Sequence, residues 1–392
     1  MVSSIAHVSF SSSGGAGSVA RILSEAQRQQ GKDSVLHTVI ASNLREAPLS
    51  APLHTLSAAT DDFLVRNPDF DSPISLFRDE RNGGLQRTIG HPDIIHLHGI
   101  NGALSLSDIA NRWPTTRVVW TLHDMNPFTG ACHYSLECSG YEGACHSCPA
   151  VRPAWQHKVM VNLERKQDEL SQIKDLKIVA PSSWLADQAS RSSAMRGLDI
   201  EVIPNPVNPQ FTSAEAGTES APDETFRIVV IAQNLTDPVK DVATAVDAFT
   251  RAGLASCGAE LVLVGKGGEG FGGTAIRTAG SLTPEALRQL LSQSDVLVVS
   301  SRAENAPLVI AEAASAGALP VVRAVGGMPE MVALLGHGHT FGSSADLETL
   351  LTKESRTTPA ARHKRRVALR SRAKAVWGSD SVIALYDKVY GS

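Results

Sequence analysis

The chain has 392 residues, 42% of them apolar and 19% charged, with a formal net charge of −4. This composition excludes a disordered chain and offers no electrostatic case for nucleic acid. No apolar run approaches the ~18 residues of a membrane-spanning helix, and the length predicts two domains.

The segment MVSSIAHVSF reads as a first strand at 5–10 and not as a signal peptide, which predicts a cytoplasmic protein. A Gly-rich turn and a helix over 17–30 follow, then a strand at 34–40. Further strands are predicted at 93–98 (DIIHLH), 118–123 (VVWTLH), 177–181 and 200–204. Short β-branched runs alternating with helical patterns predict a parallel sheet. After Pro204-Asn205-Pro206 the residues turn small and polar over 208–224, as in an exposed connection. The pattern then restarts, with strands predicted at 227–232, 260–265, 274–279, 295–300 and 320–324. The tail, 359–390, is helical and basic, with a break at Gly378. Its charge reads first as a solvated helix face, with contact to anionic lipid headgroups as the alternative. Two α/β halves of similar size fit two Rossmann-like domains facing a cleft.

The most informative stretch is SSRAENAPLVIAEAASAGALPVV. A buried strand ends there, a short loop carries Arg302, Ala303, Glu304, Asn305 and Ala306, and Pro307 suits a helix start. Glu304 lies before that helix and Glu312 inside it. Ligands of α/β sheets bind at such strand ends, and free N–H groups at the helix start favour anionic or oxygen-rich ligands. One carboxylate can then reach a sugar hydroxyl and the other a ribose hydroxyl. The bland alternative is a pair of solvated helix carboxylates.

Ser13-Gly14-Gly15-Ala16-Gly17-Ser18 connects the first strand and helix. Its glycines admit a phosphate or sugar close to backbone N–H groups. The spacing is not G-x-G-x-x-G and the next strand ends without an acid, which argues against NAD. His123 and Asp124 end the VVWTLH strand. His123 is placed to bond a sugar hydroxyl, against the alternative of a satisfied core histidine. His96 and His98 alternate on the preceding strand, and one is read as core-facing and one as cleft-adjacent. Cys132, Cys138, Cys145 and Cys148 fall within an irregular insertion over 130–150. Four soft ligands at this spacing suit a structural zinc, with free thiols and disulfides as open alternatives.

The E-x7-E segment, with GGMPE at 326–330, resembles that of retaining glycosyltransferases of the GT-B fold, in particular the GT4 family. The resemblance extends over almost the whole chain. VGKGG at 264–268 resembles the family's turn near the nucleotide, PNPV at 204–207 its interdomain junction, and Ser182-Ser183-Trp184 its capped helix start. TLHD followed by FTG and CHYS resembles a Cys-rich subset of the family.

The resemblance implies an N-terminal acceptor domain over 1–205, a nucleotide-sugar domain over 206–375, and a last helix over 376–392 crossing back to the first. It implies His123, Lys240 and Glu304 as catalytic residues. Donor binding falls to Gly15, Ala16, Gly17, Asn234, Lys240, Gly265, Glu304, Asn305, Ala306, Leu308, Val309 and Glu312, and acceptor binding to Asp124. The family has a basic residue where Asn234 stands and a glycine where Asp241 stands; Arg302 is a candidate second cation. The implied reaction moves a sugar with retention from a UDP- or GDP-sugar to a glycan, lipid-linked or small-molecule acceptor in polysaccharide or glycoconjugate synthesis. It requires no cofactor for catalysis. A non-catalytic partner protein, or an epimerase or hydrolase on the same fold, stays open as an alternative.

Overall fold

The computed structural model describes residues 4–40, 64–76, 83–212 and 225–391. The connection expected over 208–224 lies outside the described residues from 213 onward. The chain divides into two compact units, Met1–Asn205 with Val382–Ser392, and Pro206–Ser381. The boundary expected at 375 falls inside the helix Pro359–Trp377, and the division comes at 381 instead.

The first unit is built on six strands: β1 (Ser4–Ser11), β2 (Asp33–Ile40), β3 (Ile94–Leu97), β4 (Arg117–Thr121), β5 (Leu176–Ala180) and β6 (Ile200–Val202). Their order is β2-β1-β3-β4-β5-β6, and every neighbouring pair is parallel. The chain changes direction across the sheet between β1 and β3. Such a switch point opens a crevice at the carboxyl ends of the strands. All four residues of β3 are buried. Helices cover both faces of a parallel sheet, so alternation carries no inside-outside signal. His96 and His98 lie two residues apart and so on one face of the sheet, and both are buried.

The second unit holds β7 (Arg227–Asn234), β8 (Glu260–Lys266), β9 (Ile276–Gly280), β10 (Val296–Val299), β11 (Leu319–Arg323) and β12 (His339–Phe341). The order β9-β8-β7-β10-β11-β12 is 3-2-1-4-5-6 when counted from β7, the order of dinucleotide-binding sheets. Its switch point lies between β7 and β10, which pair in parallel. The three-residue β12 is too short to leave a sequence pattern and was not expected.

The basic tail forms the helices Pro359–Trp377 and Ser379–Gly391. Three of its arginines cap other helices. Arg366 donates to Ser292 O at 2.5 Å and Ser294 O at 3.0 Å, Arg370 to Ala316 O at 2.9 Å, and Arg372 to Leu334 O at 2.7 Å. These carbonyls lie at or just beyond the C-terminal turns of three helices, where orphan acceptors and negative dipole ends favour cations. Arg362 also pairs with Asp295 at 3.0 Å, and Arg365 with Glu354 at 2.6 Å. Much of the charge that suggested a surface run thus binds the second unit together.

Candidate active site

In the second unit, two loops leave the neighbouring strands β7 and β10 at the switch point. Asn234 shapes the first: its Oδ1 accepts from the Thr236 N–H at 3.1 Å and hydroxyl at 2.8 Å. Asp237 accepts from the Val239 N–H at 2.9 Å. The loops are then tied together. The Arg302 N–H donates to Val239 O at 2.7 Å, and the Ser300 hydroxyl to Lys240 O at 3.1 Å. Between them Lys240 Nζ meets Glu304 Oε1 at 2.5 Å, with the side chains 27% and 8% exposed. Two residues 64 apart in sequence thus form one charge pair in which the carboxylate is nearly dry and the ammonium stays reachable. The Arg302 side chain, a guess for the second cation, is exposed.

The GGMPE segment fixes the backbone of Glu304. Gly326 has φ +60°, and a Cβ there would stand 1.7 Å from Glu304 O. The next N–H, of Gly327, donates to that same oxygen at 3.2 Å. A side chain at 326 therefore displaces Glu304. Asn305 is buried, Ala306 is half-buried, and Pro307 caps the helix Leu308–Ala316. Leu308 and Val309 occupy its first turn. Glu312 lies on the same helix, half-buried, and no hydrogen bond or ion pair reaches its carboxylate among the described residues. Burial pushes its carboxyl up to about 7. A carboxylate so placed gains from any ligand hydroxyl that donates to it. Gly265 lies buried in β8, beside the start of the Asn234 loop, where Leu235 N–H bonds Lys266 O at 2.8 Å.

Asp241 has φ +45° and ψ +47°, the left-handed conformation natural to glycine. Asp tolerates that region better than most residues. Here its carboxylate is also held, by Arg323 at 2.5 Å and the Thr244 hydroxyl at 2.9 Å. Arg323 further donates to Ser300 O at 2.9 Å. This arginine braces both loops. Sequence reasoning missed it, although a cation ending a buried strand just before GGMPE was a usable signal.

In the first unit the loop after β1 leads straight into the helix Gly14–Gln29, three residues earlier than expected. Gly15 is exposed and Ala16 half-buried. Gly17 is buried, and a Cβ there would lie 2.2 Å from Ser11 O. Its first task is close packing of the helix against the strand end. His123 is half-buried just past β4 and shares a ring-to-ring hydrogen bond of 3.0 Å with His98. Burial depresses it to about 4, so the ring is neutral at pH 7.

Both Asp124 oxygens are engaged, by His133 Nδ1 at 2.7 Å and the Asn126 N–H at 2.8 Å. Burial opposes its charge, but the His133 and Asn126 contacts outweigh burial and hold the carboxyl below its usual value.

The irregular segment beyond Asp124 is buried, so its carbonyls need partners. Lys166 Nζ donates to Asn126 O at 2.5 Å and Thr129 O at 2.8 Å. Asn162 donates to Gly130 O at 2.6 Å and Ser192 to Phe128 O at 2.6 Å. Burial lowers Lys166 to about 7. Cys132, Cys138, Cys145 and Cys148 line one cavity with Phe70 and Tyr141, and none is in a disulfide. Burial pushes the Cys132 thiol up to about 12 and that of Cys145 to about 11. Among the described residues, the ligand atoms that lie within 4.8 Å of one another belong to His7, His96 and His98; the four sulfurs form no such set.

A profile described as Glycosyltransferase Family 4 matches residues 13–211, just over half of the chain. The chain belongs to that family. A second profile, Glycosyl transferases group 1, matches 226–352. A curated relative, described as a putative colanic acid biosynthesis glycosyl transferase, WcaC, of Escherichia coli (strain K12), is 25% identical over 74% of this chain and 72% of its own. Two solved structures share the GT-B fold. A sucrose-phosphate synthase from Thermosynechococcus elongatus superposes with TM-score 0.66 at 17% identity, covering 99% of this chain and 98% of its own. Anabaena HepE in complex with UDP-glucose does so with TM-score 0.62 at 15% identity, covering 99% of each.

This family 4 glycosyltransferase also carries residues no linear motif revealed. His7, Gln27, His96, Thr121, Tyr386 and Tyr390 meet under the first sheet. His96 lies 2.8 Å from the Tyr390 hydroxyl and 2.7 Å from that of Thr121, which is 2.8 Å from Tyr386. The register aligns His7 with His96 and His96 with Val119. The only sequence signal was period two: 5, 7, 9 in β1 and 94, 96, 98 along β3.

Proposed function

We propose that this glycosyltransferase works with retention on a nucleotide-diphosphate sugar, of the UDP or GDP class, and extends a glycan or lipid-linked acceptor in polysaccharide synthesis. The Lys240–Glu304 pair at the second switch point carries this reading. Glu304 accepts hydroxyls of the sugar, and Glu312 those of the ribose. Lys240 serves the leaving diphosphate, a role we also give to the N–H groups of Gly15–Gly17 in the first turn of their helix. Charge builds there as the sugar bond breaks, so a fixed cation and dipoles lower the barrier. The leaving phosphate takes the acceptor proton, and attack comes from the face it leaves. His123 contacts the donor sugar, and Asp124 the acceptor. The WcaC description supports the polysaccharide context, and the HepE complex the donor class. Turnover over a panel of UDP- and GDP-sugars, with the product anomer read by NMR, tests the reading. An inverted anomer overturns retention. A parent enzyme that binds nucleotide but never transfers or hydrolyses sugar overturns the catalytic role given to Lys240.

We propose further that Cys132, Cys138, Cys145 and Cys148 hold a structural zinc. Four thiols facing one cavity suit a closed tetrahedral site, and the Lys166 ammonium offsets the charge of thiolates there. Zinc would supply folding energy and no chemistry. Elemental analysis should find about one zinc per chain, with chelation lowering the melting temperature. Metal-free protein with four titratable thiols overturns the site.

A further inference from the structure

A line of buried polar side chains runs through the first unit to His123. It starts at Gln27 in the helix Gly14–Gln29. The Gln27 Oε1 accepts from the Ser34 hydroxyl at 2.9 Å and lies 2.8 Å from His7 Nε2. His7 Nδ1 lies 3.0 Å from His98 Nε2, and His98 Nδ1 lies 3.0 Å from His123 Nε2. Gln27, His7 and His98 are buried, while His123 keeps part of its surface.

A neutral imidazole has one N–H donor and one bare nitrogen, and that rule propagates along the line. The Gln27 Oε1 only accepts, so His7 carries its proton on Nε2. His7 Nδ1 is then bare and only accepts, so His98 must donate from Nε2. His98 Nδ1 is bare in turn, so His123 must donate from its own Nε2. The other side of the Gln27 amide agrees. Its Nε2 donates to the Tyr390 hydroxyl at 3.2 Å, which leaves that hydroxyl to donate to His96 Nδ1. Burial holds His7, His96 and His98 well below their usual values, so no second proton breaks the chain of inference.

We infer that Gln27, His7 and His98 are positioning residues that lock His123 as the Nε2–H tautomer, so that its Nδ1 can only accept a hydrogen bond and never donate one. One amide on the first helix thereby sets the polarity of a ring at the end of β4. The role in turnover rests on the reading of His123 as a donor-sugar contact. The tautomer itself does not.

Two-bond 15N–1H spectra of the full chain, labelled at histidine and recorded at pH 7, read the tautomers directly. His7, His98 and His123 should each show a protonated Nε2 and a bare Nδ1. A His123 that is mainly protonated at Nδ1 overturns the inference. Gln27→Glu keeps an acceptor facing His7 and should preserve the His123 tautomer; a switch to Nδ1–H overturns it. Gln27→Leu removes the acceptor and should turn His123 into a mixture, with kcat/KM lower by about fivefold to tenfold, as for one lost hydrogen bond. An unchanged tautomer in a folded Gln27→Leu protein also overturns it. A mixed tautomer with normal turnover leaves the relay standing and removes the sugar contact instead. If Gln27→Leu does not fold, the parent and Gln27→Glu spectra decide.

Discussion

The two sheets are built alike but hold their polar groups differently. In the second unit the paired and bare carboxylates lie in loops and on a helix directly after β7 and β10, close to the residues that define their motif. In the first unit the polar cluster lies beneath the sheet, assembled from β1, β3, β4, the first helix and a helix more than 250 residues on (Tyr390 Oη to His96 Nδ1, separation 294). The second arrangement leaves charge reachable by a ligand. The first keeps neutral groups dry and satisfied, which specifies geometry without offering charge. Substitution in the two regions should therefore fail in different ways.

The largest contrast is expected at Lys240. Lys240→Ala should cut kcat by roughly 10²–10³, the scale of losing one electrostatic stabiliser, while the melting temperature changes little. Lys240→Gln tests charge with the stem retained. Steady-state rates with an active donor–acceptor pair check it, and normal turnover removes the loop from the mechanism.

Acid should strike the first unit. His7 is depressed from 6.5 to about 4 by burial, with His96 and His98 also lowered. Below pH 6.5 the unfolded chain takes up protons that the folded cluster refuses. The stability contributed by the neutral rings is therefore present above 6.5 and lost as pH falls toward 4. For His7 alone the loss at pH 5 is about 2 kcal/mol. Hydrogen exchange at pH 7 and pH 5 should show β1, β3 and β4 losing protection before β7, β8 and β10. Equal loss in both sheets would contradict the account.

Glu312 should make the second unit pH-dependent in folding as well as in binding: its carboxyl ionises at 4.5 in the unfolded chain but near 7 in the folded one, so its burial costs stability as pH rises from 4.5 toward 7. With its carboxyl near 7, affinity for a nucleoside diphosphate should rise about tenfold from pH 6 to pH 8, because a ribose hydroxyl donates to the ionised form. Glu312→Gln should remove that dependence and weaken binding by about 1–3 kcal/mol. Calorimetric titration with UDP and GDP checks both; a parent with pH-independent affinity for every nucleotide it binds sinks the ribose assignment.

The smallest effect is expected at Asp241. Asp241→Gly relieves a left-handed backbone but loses the bonds to Arg323 and Thr244. The two changes oppose each other, so denaturant melts should shift by less than about 1 kcal/mol. A larger loss would make Arg323 the main brace of the loop.

The sequence by itself determined the double α/β architecture and singled out the residues of the second unit's candidate site. Buried parallel strands announce themselves as short β-branched runs, and a loop at a strand end carries its ligand groups in consecutive letters. Glu304, Glu312 and Lys240 were legible for that reason. Tertiary structure alone decided that Lys240 pairs with Glu304, that Asp241 is held by Arg323, that the tail arginines cap helices, and that three histidines form one line under the first sheet. Those contacts join residues 25 to 91 positions apart. No local pattern encodes which strand lies beside which, so chemistry assembled across strands appears only once the chain has folded.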